Sequence, residues 1–383
     1  MERVSPASDR TRERDACPGA LQTHQAADGA LARIRLPGGM ITAAQLDALA
    51  DTAIRHAAGT LELTARANVQ LRGITDTAAV ADAVAAAGLL PSAHHELVRN
   101  IVASPLSGRL GGLADVRGWV GELDAQIQDD PTLAGLPGRF LFCLDDGTGD
   151  VSGLGADVGV QATDDGAALL LAGRDTGIRV GREDVVETLI TIARRFAETR
   201  GKAWRVAELD DPGLLLDGVG APTATRMTLS ADARPPVGWI NQDDGRVALG
   251  AAVPLGVLSA RQAQFIAAMQ SPVVITPRRS LLVCDLSEGV ADTSLRVLAP
   301  LGLVFDETSR WLEVSACVGS PGCERSRADV RAEATRAVDT GTAEGTVHGP
   351  VHYVGCERAC GRPAAGEVLV ATDAGYRPLP VVG

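Results

Sequence analysis

Thr64-Ala-Arg-Ala-Asn-Val-Gln-Leu-Arg-Gly-Ile74 is the stretch on which the architecture turns, because the chain contains it twice. Val273-Val-Ile-Thr-Pro-Arg-Arg-Ser-Leu-Leu-Val283 lies over Leu61 to Leu71, placing Thr276 on Thr64 and Arg278 on Arg66. The flanks repeat as well. Before the first copy, Ala30-Leu-Ala-Arg-Ile-Arg-Leu36 alternates as a strand and Pro37-Gly-Gly39 turns. Thr42 then caps a predicted helix, Ala43 to Ala57, with Leu46, Leu49, Ala50, Ala53 and Ile54 at helical spacing. Before the second copy, Gly245 to Val253 reads as a strand, Pro254-Leu-Gly256 as a turn, and Ser259 caps a helix carrying Gln262, as Thr42 precedes Gln45. Two units of about 65 residues, about 215 apart, imply duplication with pseudo-twofold symmetry rather than a solenoid.

Between the copies, Leu136 to Leu144 reads as a strand followed by the tight turn Asp145-Asp-Gly-Thr-Gly. Strands are expected near Val158–Ala162 and Ala167–Ala172. A helix from Glu183 to Thr199 presents Val185, Leu189, Ile192, Ala193 and Phe196 on one face. After Leu301 the expected order is strand Trp311–Val314, helix Ser326 to Val338, strand Val351–Val354 and strand Glu367–Ala371. The expected organisation is a disordered lead (1–16), a half-domain (17–96), a larger α/β domain (97–225), a second half-domain (235–300) and a second α/β domain (301–383). The fold class is α+β.

At 383 residues and net charge −12, the chain is enzyme-sized and too acidic for nonspecific binding to nucleic acid or anionic membranes to be its main task. Lys202 is its one lysine, so basic sites must be built from arginine. The polar start, Met1 to Asp15, has no apolar core of a secretory signal, and no run approaches the roughly 18 apolar residues of a spanning helix. A cytoplasmic protein with free or ligand-bound thiols is expected.

Four of the seven cysteines fall in two short stretches, Cys317-Val-Gly-Ser-Pro-Gly-Cys323 and Gly355-Cys-Glu-Arg-Ala-Cys360-Gly-Arg-Pro363. Zinc pairs usually sit at C-x2-4-C, where one short knuckle turns both thiolates onto one ion. A gap of five suits a larger cuboidal cluster better, and 4Fe–4S is the usual occupant of four cysteines. Zinc remains the rival from spacing alone.

These cysteine stretches, with the duplicated unit, Val98-Arg-Asn-Ile-Val-Ala-Ser-Pro-Leu-Ser-Gly108 and Leu136-Pro-Gly-Arg-Phe140, resemble the siroheme-dependent nitrite and sulfite reductases over about residues 17–372. The resemblance implies two ferredoxin-like half-domains and two larger α/β domains, with a 4Fe–4S cluster on Cys317, Cys323, Cys356 and Cys360. It further implies a tetrapyrrole held by Arg66, Arg72, Arg99 and Arg139, since guanidinium binds carboxylate bidentately and keeps its charge. Within that superfamily, Cys17-Pro-Gly-Ala-Leu21, Ala27 to Gly39 and the Phe142-Cys-Leu-Asp-Asp-Gly-Thr-Gly-Asp150 turn are most similar to the precorrin-3B synthase family. That likeness implies precorrin-3A as substrate, dioxygen, an NADH-linked or ferredoxin electron donor, and a mononuclear non-haem iron besides the cluster. The implied reaction is hydroxylation at C20 with γ-lactone formation. The reductases carry a second lysine where this chain has Leu141, which moves the expected occupant from siroheme to substrate; siroheme, bridged through Cys360, belongs to the alternative nitrite or sulfite reductase.

The histidines, His24, His56, His94, His95, His348 and His352, show no 2-His-1-carboxylate spacing, and no catalytic residue or iron ligand is readable. His348-Gly-Pro-Val-His352 precedes Cys356 and reads as a loop pair; Cys17 reads equally as a structural thiol. Replacing Cys323 with Ser is expected to abolish acid-labile sulfide and bound iron together, measured on anaerobically purified protein, since one lost thiolate opens a cluster to solvent.

Overall fold

The computed structural model describes residues 15–230, 234–341, 349–363 and 366–379. The disordered lead falls almost wholly outside these residues, and so does His348.

The first repeat contains β1 (His24–Ala26), β2 (Gly29–Ile34), β3 (Met40–Ile41), α1 (Ala43–His56), β4 (Thr60–Leu63), β5 (Val69–Ile74) and α2 (Thr77–Ala86). The domain after it contains β6 (Ile101–Ala103), α3 (Arg117–Asp129), β7 (Phe142–Asp145), β8 (Val158–Thr163), β9 (Gly166–Leu171), β10 (Arg174–Val180) and α4 (Val185–Thr199). The second repeat has β11 (Gly238–Asn241), β12 (Val247–Ala252), β13 (Val257–Ser259), α5 (Ala260–Ala267), β14 (Val273–Ile275), β15 (Ser280–Leu286) and α6 (Glu288–Leu298). The last domain has β16 (Val314–Ala316), α7 (Val330–Thr340), β17 (Val351–Val354), β18 (Glu367–Thr372) and β19 (Gly375–Pro378).

The repeats agree down to single hydrogen bonds. Thr42 and Gln45 form a reciprocal capping box on α1, and Ser259 and Gln262 form the same box on α5. Gln45 Nε2 donates to the Ala87 carbonyl and Gln262 Nε2 to that of Leu301. Helices α1 and α5 pack on each other, and Ala50, Ala53, Ala260 and Ala263 are all buried in one core with Leu46, Leu49 and Ile266. Burying a leucine such as Leu46 contributes on the order of 2 kcal/mol.

Each repeat completes the other's sheet. The first sheet runs β1-β2-β5-β4-β13 and the second β11-β12-β15-β14-β3, so β13 of the second repeat is the edge strand of the first and β3 of the first is the edge strand of the second. Gly39 makes the crossing possible: its φ is +72°, and a Cβ there would stand 2.0 Å from the Ile275 carbonyl oxygen. The two α/β domains also correspond. Strands β6, β7 and β8 are parallel with β9 antiparallel, and β16, β17 and β18 are parallel with β19 antiparallel.

Several local expectations shift. The strand expected from Leu136 begins at Phe142, because Pro137 and a 3-10 turn at Leu133–Gly135 precede it. The strand expected at Trp311 is Val314–Ala316 after a 3-10 turn, and the helix expected from Ser326 starts at Val330, capped by Asp329. Ile54 points outward, 55% exposed, while the rest of its predicted stripe is buried. Among the described residues no helix is long and apolar enough to cross a membrane.

Gly59 has φ +73° with no atom near its Cβ position, which isolates the backbone penalty. Gly59→Ala is expected to cost about 1 kcal/mol, whereas Gly39→Ala should cost at least about 3 kcal/mol through the added clash. Denaturant midpoints of the two variants, measured side by side, check the difference.

Candidate functional site: a cysteine cradle beside an arginine cluster

The four cysteines sit on two loops that leave the carboxyl ends of adjacent parallel strands, β16 and β17, where open α/β sheets bind ligands. Cys317 N–H donates to the Tyr353 carbonyl (2.9 Å), and Gly355 N–H points at Cys317 Sγ (3.4 Å). A Cβ on Gly355 would land 1.7 Å from Ser326 Oγ, so the close passage of the two loops requires glycine there. None of the four forms a disulfide, and each is half-buried. A tetrahedral zinc with 2.3 Å bonds would hold its sulfurs about 3.8 Å apart. Among the described residues no three of these sulfurs lie within 4.8 Å of one another. That spacing does not match a single preformed zinc site.

The cradle is tied to the first repeat. Arg72 on β5 donates Nε and Nη2 to Asp28 (3.0 and 2.8 Å) and Nη2 to the Gly322 carbonyl (2.8 Å), while Glu62 on β4 pairs with Arg331 on α7 (2.7 Å). His352 is fully buried: its Nε2–H donates to the Cys360 carbonyl (3.0 Å), which leaves Nδ1 to accept from Ser315 Oγ (2.8 Å). Burial holds its pKa down at about 4, so the ring is neutral.

Strand alternation explains where the arginines go. On β2 and the residues after it, Ala32, Ile34 and Leu36 face the shared core, which puts Arg33 and Arg35 on the opposite face; Leu61, Leu63, Val69 and Leu71 likewise turn Glu62, Gln70 and Arg72 outward. Arg33 donates to Gln70 (2.9 Å), and Gln70 to Glu62 (3.0 Å). Arg35 is only 3% exposed; its Nε reaches the Leu97 carbonyl at 3.3 Å, and both Nη atoms are buried without a hydrogen-bond partner among the described residues. Burial, then like charge from Arg33, pulls its pKa down to about 9, with Arg66 adding a further cation. Arg66 donates to the Arg139 carbonyl (3.1 Å) and is lowered to about 10 by burial and by Arg205. The Arg139 guanidinium lies over the Trp204 ring, 5.4 Å from its centroid. Arg205 pairs with buried Asp157 (2.7 Å), whose carboxylate also accepts Leu141 N–H and Val206 N–H.

Asp15 lies beside this group of arginines, accepting from Arg139 N–H (2.8 Å) and Cys17 N–H (3.2 Å). Burial and Asp15 push the Cys17 thiol up, so it is uncharged. Asn68 and Asn100 knit the motifs together: Asn68 accepts from Leu36 N–H and donates to Asn100, which donates to the Gly138 and Phe140 carbonyls.

Of the four arginines expected to hold a tetrapyrrole, the structure brings Arg66 and Arg139 together and engages the other two within the chain. Arg72 is held by Asp28 and Gly322, and Arg99 makes a two-pronged pair with Asp124 on α3 (2.7 and 2.8 Å). Arg35 went unread, although the alternation of Ala30 to Leu36 already placed it beside Arg33. His95 bridges Ser92 and the Asp130 carbonyl, and His94 is exposed. Asp145, Asp146 and Asp150 converge on one another. However, Asp145 accepts four amide N–H groups, from Gly147, Gly149, Val151 and Ser152, and Ser104 donates to Asp150. These are the bonds of a closed turn, and no residue is assigned to iron.

Comparison with known proteins bears on this geometry. Residues 24–87 match the nitrite/sulfite reductase ferredoxin-like half domain. The chain is 29% identical to a precorrin-3B synthase of Sinorhizobium sp. over 95% of its length and 82% of that enzyme's. It is 24% identical to a ferredoxin–nitrite reductase of Synechococcus elongatus, over 88% and 75% respectively. The Mycobacterium tuberculosis NirA protein superposes with a TM-score of 0.73, covering 92% of this chain and 77% of that one at 21% identity. The chain has the nitrite/sulfite reductase fold. Within that fold it is a homologue of precorrin-3B synthase, and the first copy of the duplicated unit matches the ferredoxin-like half domain.

Arg35 and Arg99 should separate a charge of this arginine group from a structural one. Arg35→Met is expected to stabilise the ligand-free protein by about 1–4 kcal/mol, because it removes a buried cation with an incomplete set of partners. Arg99→Met should destabilise it by about 1–3 kcal/mol, because it strands Asp124. Thermal midpoints of the two variants check the opposite signs.

Proposed function

We propose that this chain is an iron–sulfur oxidoreductase whose substrate is a carboxylate-fringed tetrapyrrole, and that its reaction is the precorrin-3B synthase one. In that reaction precorrin-3A is hydroxylated at C20 with γ-lactone formation, one oxygen atom of dioxygen entering the product and the other leaving as water with two electrons and two protons. The observation that carries the reading is the polar outer face of the first sheet, which runs from the buried Arg35 guanidinium to the cysteine loop held by Arg72. Both the macrocycle and the electron-carrying group would be held on that one face.

Arg35, Arg66 and Arg139 would take the acetate and propionate groups, and a ligand carboxylate would complete the bonding that the Arg35 Nη atoms lack. Asp157 supports this set by fixing Arg205 beside Arg66 and by holding Leu141 through its amide. Leu141 itself is buried in an apolar group with Val102, Cys143, Val151 and Ala156, so it offers no second cation for a prosthetic siroheme. Cys317, Cys323, Cys356 and Cys360 would hold a 4Fe–4S cluster, which when bound supplies electrons one at a time. The nitrite reductase relatives support the alternative, a siroheme reductase.

The deciding experiment is incubation of the anaerobically purified protein with precorrin-3A and a reductant, in air and without it. A product heavier by one oxygen atom, formed only in air, is the expected result. A haem-type visible band together with nitrite- or sulfite-dependent oxidation of the reductant would replace this reading by the alternative. Arg66→Ala is expected to weaken tetrapyrrole binding at least about tenfold, or 1.4 kcal/mol, with iron and sulfide content unchanged.

A further inference from the structure

The hairpin turn that carries Arg66 in the first repeat has the same backbone in the second. Arg66 N–H and Arg278 N–H donate to Thr64 Oγ1 (3.3 Å) and Thr276 Oγ1 (3.2 Å), and the residue after each donates to the threonine carbonyl at 3.2 Å. That following residue is left-handed in both, φ 56° at Ala67 and 57° at Arg279. A left-handed L-residue costs about 1–2 kcal/mol. Alanine meets the turn's need in the first repeat, so the turn itself does not require a long cation in the second.

The direction of Arg279 shows what differs. Its Cβ and Cδ pack over Gly256, where an added Cβ would stand 3.1 Å from each; Ala67 makes the equivalent contact with Gly39. From there the guanidinium reaches the second cysteine loop. Nη2 is 2.9 Å from where a Cβ would stand on Gly361, the residue after Cys360, and the His352 ring borders the same spot at 3.7 Å. Burial lowers the Arg279 pKa, and its charge is felt by Glu62, Arg331 and Cys317. Its guanidinium makes no hydrogen bond among the described residues.

We propose that Arg279 is the cation that faces the group held by the four cysteines, donating to their sulfurs and raising the reduction potential of an iron–sulfur cluster bound there. This rests on the cluster reading of the cysteines. The physical reason is simple: one-electron reduction adds negative charge to an already anionic cluster, and a nearby guanidinium stabilises the reduced form more than the oxidised one. Arg279 is a positioning residue in this role, acting on the cluster and not on the tetrapyrrole.

The test is a redox titration of the full-length, anaerobically purified protein, following the reduced cluster by electron paramagnetic resonance. Arg279→Gln should make the cluster at least tenfold harder to reduce, a fall of about 59 mV for a one-electron couple. Arg279→Lys should recover most of that difference, and Arg261→Gln, on the exposed side of α5, should leave the potential unchanged. If Arg279→Gln instead lowers iron and sulfide content, full content in Arg279→Lys supports the proposal, and equal loss in both overturns it. An unchanged potential in Arg279→Gln, or equal potentials in the Gln and Lys variants, also overturns it. Wild-type protein without labile sulfide or a reducible signal would overturn the cluster reading itself, a result distinct from any of these.

Discussion

The exchange of β3 and β13 between the two repeats is the constraint on which the rest depends. Neither repeat has a complete sheet alone, and the helices on the inner faces share one core, so the two copies must form together. The exchange also fixes both sheets with their second faces outward, against the α/β domains. A duplicated enzyme of this kind has two equivalent outer faces available for chemistry, and their side chains decide which is used.

The faces have diverged completely while the backbone has not. On the first sheet the outward positions are Arg33, Arg35, Glu62, Gln70 and Arg72; the equivalent positions on the second are Gly250, Ala252, Val274, Leu282 and Cys284. The second set is small or apolar, and Ala248, Val274, Leu282 and Cys284 pack with Met40, Leu106 and Ile240 into a minor core. Gly73 and Asp285 occupy the same left-handed position, φ 63° and 62°, but Asp285 carries a carboxylate there and uses it to bind Arg109 and Gln242. One face is thereby built for structure. The other keeps buried cations, of which Arg72 is paired with Asp28 while the Arg35 Nη atoms have no hydrogen-bond partner among the described residues.

This asymmetry marks what could be read from residues alone. The repeat, both capping boxes and the face of α4 were legible because they depend on local periodicity and caps, which short stretches encode fully. The exchanged strands were not, since β3 and β13 are two and three residues long and their partners lie more than 190 residues away. The roles of Arg72 and Arg99 were hidden for a related reason. A guanidinium bonded within the chain and one held for a ligand look alike in sequence, and only the positions of Asp28, Gly322 and Asp124 distinguish them.

The two α/β domains carry the same argument into the loops. The turns at the ends of β6 and β7 correspond to the two cysteine loops, but there Ser104 donates to Asp150 and accepts from Asp146 N–H, while Asp145 gathers four amides, so the loops bind each other. In the cysteine loops the contacts are of another kind: Gly355 N–H to Cys317 Sγ and Arg327 N–H to the Gly355 carbonyl hold the passage together, with no carboxylate gathering the amides there. The cysteine loops are in addition tied from outside. Arg72, Glu62 with Arg331, and His352 supply those ties from the first sheet and from β17, which is why the cradle and the polar face are joined on one side of the molecule.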